Sequence, residues 1–225
     1  VAARWSGPND ANRAARAPVV PADLDGLELD GFEDDDGFAE VSISGFAVAA
    51  DAERVSIARA EVVRLRLTAA RLRRLDLVDV VLRDCDLAQA VLEELVAVRV
   101  TFERCRLSEA DLGGARLTDV RFHDCQLDAA ALRLVQGERV EARGGSAAGL
   151  DLYGARLPGS AWLDTDLTGA ELSGADLARA RFHGSRLGDL RGATALRGAR
   201  IGRDQTVDVG LALIADSRIT VEDLD

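Results

Sequence analysis

The chain has no lysine and no methionine, and aromatics make up only 4% of its 225 residues. Every one of the 28 basic side chains is therefore an arginine. With so few rings, a core has to be built from small and branched side chains, chiefly alanine, valine and leucine. No run approaches the roughly 18 apolar residues of a membrane-spanning helix, so no membrane contact is expected. The stretch "VAARWSGPNDANRAARAPVVP" lacks the apolar centre of a secretory signal. Three cysteines without such a signal read as reduced thiols in a cytoplasmic protein.

Net charge is −11, but it is unevenly spread. Residues 1–54 hold 12 acids against 4 arginines, and residues 203–225 hold 6 against 2. Residues 55–202 hold 21 acids and 22 arginines, a nearly neutral body between acidic ends. Solvation is the ordinary role of such ends.

What the chain does have is a period of five. In "TFERCRLSEADLGGARL", residues 101–117, Phe102, Leu107, Leu112 and Leu117 fall five apart, and Cys105, Ala110 and Ala115 precede the last three by two. Neither a helix nor a simple strand has that repeat. The series runs from Ile57 to Leu187, weakened at Ala97, Gly137, Ala142 and Ala147. A twenty-residue period lies over it. Val80, Val100, Val120 and Val140 share one column, and Cys85, Cys105 and Cys125 another, continued by Gly145, Thr165 and Ser185. Leu82, Phe102, Phe122, Ala142, Trp162 and Phe182 form a third. Four units thus close one turn of a coil. Each unit sends two side chains inward and three outward, and like residues stack at the spacing of parallel strands.

"CRLSEADLGGARL" and "TDLTGAELSGADLARARF" resemble the pentapeptide-repeat family, whose unit is approximately A-(D/N)-L-X-X. The resemblance covers about residues 38–202. It implies an all-β solenoid, a right-handed quadrilateral β-helix, here followed by a short C-terminal α-helix. Quinolone-resistance members of the family bind DNA gyrase, some by resembling B-form DNA in shape and acidity, and use their C-terminal region to form dimers. Carried to this chain, that implies gyrase as a partner and a homodimer.

Residues 1–37 read as a flexible acidic segment, 38–202 as the solenoid, and 203–225 as a helical cap and tail. Val41/Ile43 and Phe46/Val48 look like early units. The register loses one residue between Val48 and Ile57 and again between Leu187 and Leu196, which predicts two tightened corners. About eight coils follow from the count of units. Residues 135–149 read as a thinly packed coil rather than a loop, because the columns resume in phase after them. Phe32 and Phe38 are expected to close the open N-terminal end. Val207, Leu211 and Ile214, spaced four and three, mark the face of a short helix that closes the other end or joins a second copy, with Asp204 as its N-cap.

No catalytic constellation emerges. Cys85, Cys105 and Cys125 should point inward in line, not converge on a metal, so they read as core filling. His123 and His183 should both face outward, three turns or about 14 Å apart, too far to share a proton or a metal ion. No phosphate-cradling loop is present. No enzyme, cofactor or metal is therefore expected, and net charge opposes direct nucleic-acid binding. Surfaces must carry the function. Val78, Val96 and Val98 should face outward on one side, with Val81 and Val91 on the adjacent sides. Three readings of that cluster stay open: coverage by the chain's own N-terminal segment, ordinary outward valines of a β-surface, or contact with a partner or second copy. Glu93, Glu94, Asp111, Asp151 and Glu171 make a partly acidic strip, interrupted by Arg133. The reading is a non-catalytic scaffold for an unidentified protein partner. The alternative is a DNA-mimicking modulator of gyrase, against which the neutral body counts.

Overall fold

The computed structural model describes residues 14–45, 51–217 and 219. Phe46 and Val48, read as an early unit, lie outside the described residues, as do residues 1–13 of the N-terminal segment. Among the described residues the twelve strands are β1 (Asp25–Glu28), β2 (Gly37–Ala39), β3 (Val41–Ser44), β4 (Asp51–Glu53), β5 (Ser56–Val63), β6 (Arg71–Arg73), β7 (Asp76–Arg83), β8 (Val91–Glu93), β9 (Val96–Glu103), β10 (Arg116–His123), β11 (Gln136–Arg143) and β12 (Ala161–Leu163). One helix, α1 (Thr206–Asp216), follows. All strand pairing is parallel. A nine-stranded sheet runs β1-β3-β5-β7-β9-β10-β11-β12, with β2 also on β5, and β4-β6-β8 form a second sheet. Single bridges such as Arg66↔Asp86↔Arg106↔Gln126 continue the ladders on the other sides. The result is a parallel β-solenoid of about seven turns, close to the eight counted from the units.

The five-residue unit works because its last residue turns the corner. Positions such as Asp79, Asp84, Arg99, Arg104, Asp119 and Asp124 have φ between 51° and 58°, the left-handed region. An L-residue there costs on the order of 1–2 kcal/mol. The corner is held because its N–H donates to the coil above, as Asp84 N–H does to the Glu103 carbonyl at 3.0 Å and Asp124 N–H to that of Arg143 at 2.9 Å. Main-chain groups are satisfied mostly from coil to coil, with short turns such as Ala110 N–H to the Leu107 carbonyl at 3.1 Å closing within a coil.

The columns are real stacks. Leu82, Phe102, Phe122, Ala142 and Trp162 are successive register partners. The Phe102 and Phe122 rings stack with centroids 4.9 Å apart. Residues 136–143 are the regular strand β11, paired on both sides, so the weak stretch is a coil. It is not hollow. A Cβ on Gly137 would lie 2.6 Å from Leu157 Cδ2 and 2.7 Å from Val140 Cγ2, so these neighbours fill the missing leucine's place.

Both register slips are steps of nineteen residues. Ile43 pairs with Val62 at one end and Arg181 with Arg200 at the other. The second slip is taken up by the tight 3₁₀ turn Ala193–Leu196, entered through Gly192 at φ 70°.

Ordered structure starts earlier than the sequence suggests. Strand β1 pairs with β3, inside the segment read as a flexible tail, because the edge of β3 would otherwise be left open. Phe32 is buried and Phe38 half-buried, their rings edge to face at 5.9 Å, and they pack on the end of the core as expected. At the other end Gln205, not Asp204, does the capping. Asp204 is exposed in the turn Arg203–Gln205, while the Gln205 amide accepts Gly202 N–H at 2.6 Å and donates to the Phe182 and Ser185 carbonyls. This phase seats Val209 and Ala212 of α1 on the core. Val207 and Leu211 are left 70% and 61% exposed and Ile214 half-buried, so the four-and-three face turns mostly outward.

Candidate interaction surfaces

The absence of lysine has a structural counterpart. Arginines reach carboxylates one coil away: Arg104 to Asp84 at 2.8 Å, Arg83 to Glu103 at 2.8 Å, Arg186 to Asp166 at 2.9 Å, and Arg99 to Asp79 at 2.6 Å. At Arg104 and Arg99 the planar guanidinium fork spans the gap between rungs with two parallel hydrogen bonds, which a lysine ammonium cannot do. Most such pairs are exposed and contribute little each. Their consequence is a neutralised outer surface.

The acidic strip follows the same rule. Asp111, Asp151 and Glu171 fall in one column, Val91↔Asp111↔Ala131↔Asp151↔Glu171↔Arg191, with Glu93 and Glu94 beside it. Asp151 pairs with Arg133, Glu171 with Arg191 at 3.1 Å, and Glu94 with Arg74 at 3.0 Å. Asp111 accepts the N–H of Gly113 at 2.8 Å. Three of the strip's five acids, Glu94, Asp151 and Glu171, are thus paired with arginines, which breaks it as a continuous anionic surface.

Val78, Val96 and Val98 lie on one side of the coil, Val78 against Val98 in register, while Val81 and Val91 lie on the flanking sides. All five are half-buried. Beside Val78 and Val98 runs a corner column of alternating charge, Arg59, Asp79, Arg99, Asp119, Arg139. Asp79 takes Arg99 in a two-pronged pair at 2.6 Å, and Asp119 takes Arg139 at 2.6 and 3.1 Å. These carboxylate side chains are only 10% and 3% exposed. Bonding to Arg99 and Arg139 holds both below the usual carboxylate range against the opposing effect of burial.

A strap crosses this corner. Val19 N–H donates to Asp79 Oδ1 at 3.0 Å and Arg16 N–H to Asp119 Oδ1 at 2.9 Å, with Ala15 buried beside them. In the sequence, these residues fall within the segment 1–37 read as flexible. Their contact is made by backbone N–H groups, which leave no periodic trace in the side chains.

The thiols of Cys85, Cys105 and Cys125 are free and buried in a row. Each Sγ donates to carbonyls, Cys105 to those of Leu82 and Glu103 at 3.4 Å. Bonding to Cys105, then burial, holds Cys85 and Cys125 above the usual thiol range. His183 is exposed. His123 is half-buried, its Nε2 out of contact with solvent and without a hydrogen-bond partner. Among the described residues no group of three or more His, Cys, Asp or Glu is placed to hold a metal ion, and no helix is long and apolar enough to cross a membrane.

One exposed apolar position was missed. Leu134 is 60% exposed, next to Tyr153 at 54%. It turns a corner at φ 58° where Gly114, Gly154 and Gly174 turn the same corner in other coils. Among non-glycine residues at positive φ, it is the one large apolar side chain in the described chain.

The pentapeptide-repeats family model matches residues 98–133 and 148–184 in eight copies. A solved structure of QnrB1, a plasmid-mediated fluoroquinolone resistance protein, as a trypsin-treated single-residue variant, superposes with a TM-score of 0.54 at 19% identity. It covers 89% of this chain and all of that one. The full-length QnrB1 structure matches at TM-score 0.45 and 16% identity, covering 87% of this chain and all of that one. A pentapeptide repeat protein (Rfr23) from the cyanobacterium Cyanothece 51142 matches at TM-score 0.17 and 17% identity, over 48% of this chain and 61% of that one. No curated protein matches the sequence. At these identities the likeness is one of fold.

Proposed function

For a chain that belongs to the pentapeptide-repeat family, with the right-handed four-sided β-helix expected of it, we propose a non-catalytic role as a rigid scaffold for protein–protein contact in the cytoplasm. One observation carries the reading. Side chains with chemistry are spent on coil-to-coil pairs, of which Asp84–Arg104 is typical, while apolar side chains remain on the outside at Val207, Leu211, Leu134 and the valine side. Buried apolar anchors usually dominate a protein interface, and exposed charges add little. The outward face of α1 is assigned to a second copy of the chain, and three unpaired thiols suit a reducing compartment.

Gyrase is the second reading, favoured by the fold shared with a fluoroquinolone resistance protein. A DNA mimic has to compete electrostatically for a basic surface. A strip neutralised by Arg133, Arg191 and Arg74 is poorly suited to that.

Purified protein in a gyrase supercoiling assay, beside affinity capture from lysate, separates the two. Little inhibition is expected at physiological salt. Val96→Asp or Val98→Asp is expected to weaken capture of a partner more than Asp111→Arg or Asp151→Arg. Strong inhibition that survives the valine changes and vanishes on reversing Asp111 and Asp151 would replace the scaffold reading with mimicry.

A further inference from the structure

The strap is the ordered element that the repeat does not explain. Residues 15–19 form no strand, yet Ala15 is 3% exposed and two of their four backbone N–H groups, those of Arg16 and Val19, are bonded to nearly buried carboxylates. Two features of the corner single it out. Its carboxylates are far less exposed than Asp84 at the next corner, whose side chain is 45% exposed. Each also keeps acceptor capacity beyond its arginine: Oδ1 takes both the guanidinium and a strap N–H.

The spacing is matched to an extended chain. Asp79 and Asp119 stand two coils apart, about 9.6 Å at the parallel-strand distance. Three residues of polyproline II rise about 9.3 Å, and three residues make one turn, so N–H groups at i and i+3 point the same way. Arg16 and Val19 are such a pair, and Pro18 between them favours that conformation. Recognition is through main-chain donors and one buried methyl group. The side chains of Arg16, Ala17 and Val19 stay exposed. Nothing in the contact depends on the strap being covalently part of this chain.

We propose that the corner bearing Asp79 and Asp119 is a docking groove for an extended, proline-containing peptide segment of a partner protein, and that residues 15–19 occupy it in cis as a displaceable stand-in. The ligand pattern is a small residue, two residues, proline and one more, with free N–H groups at the second and fifth positions. The inference rests on the scaffold reading and gives it a partner class. Failure of the groove leaves capture through Val96 and Val98 untouched, so the two fail separately.

The test uses the full chain with Arg16→Pro and Val19→Pro, which removes both donors and leaves the solenoid unaltered. The probe is a labelled peptide of residues 14–22, followed by fluorescence polarisation. A tethered strap competes at an effective concentration in the millimolar range, so the peptide should bind the released chain about tenfold or more tighter than the native one. A peptide with proline at the same two positions, or with one glycine inserted before Pro18, should not bind. Equal binding to both chains, no binding to the released chain, or equal binding of the double-proline peptide would each overturn the proposal. Amide exchange on the native chain gives a second reading. Arg16 and Val19 should be protected relative to Ala17, and uniformly fast exchange across the three also overturns it.

Discussion

Gln205 closes the end of the column that Cys85, Cys105 and Cys125 begin, its side-chain amide donating to the Ser185 carbonyl at 2.6 Å. The same amide reaches the Phe182 carbonyl and accepts Gly202 N–H. One side chain thus pairs with three main-chain groups, of which the Phe182 carbonyl also takes Ser185 N–H at 3.1 Å. Leaving buried polar groups unpaired costs about 1–3 kcal/mol each, less where water can enter at an end. Gln205→Leu is therefore expected to destabilise the protein by roughly 2–4 kcal/mol in denaturant melts. A change under about 0.5 kcal/mol would show that water replaces the amide at no loss, and that the cap is α1 alone.

The cysteine column is predicted to be inert. All three thiols are buried and bonded to main-chain carbonyls, out of reach of a reagent in the native protein. A thiol reagent should label them only as fast as the protein unfolds. Cys105→Ala should fold, losing about 1–3 kcal/mol for the small cavity. Rapid labelling of the native protein would point to a breathing coil and an accessible column.

Asp119 sets a pH dependence whose sign is fixed by its partner. Its carboxyl is held low, first by Arg139 and then, against burial, by the Arg16 N–H. A carboxylate depressed on folding adds stability that is fully present above its unfolded value, near 3.9, and is lost as pH falls through the folded value. Asp119→Asn should melt lower than the native chain at pH 7, and the gap should begin to narrow only near about pH 4 and close as pH falls through the lower folded value. A gap that persists unchanged to pH 2 would mean that packing, not charge, ties this corner together.

How far these features were legible differs by kind. The coil, its columns and both slips follow from side-chain packing that recurs every five and twenty residues, so Val80, Val100 and Val120 announce one another. Gln205 and the strap do not recur. They act once, through an amide and through backbone N–H groups, and carry no periodic signal. The helix was legible only in outline. Val207, Val209, Leu211, Ala212, Leu213 and Ile214 are apolar nearly all round, so spacing alone does not select the buried stripe. Gln205 selects it by fixing the phase at which the chain leaves the last coil.

That phase gives the two sides of α1 separable roles. Val209 and Ala212 are buried against the last coil, so Val209→Glu places an unpaired charge in the core and should lower the melting temperature sharply. Val207 and Leu211 project outward, and solvation should absorb Val207→Glu with Leu211→Glu at nearly unchanged melting temperature. If the outward side joins two copies, light scattering should give about twice the 23.9 kDa chain mass for the native protein and the single mass for the outward double variant. A native protein that already runs at the single mass would assign Val207 and Leu211 to some other partner. A double variant that stays dimeric would move the contact elsewhere on the solenoid, with the exposed Leu134 and Tyr153 the next residues to change.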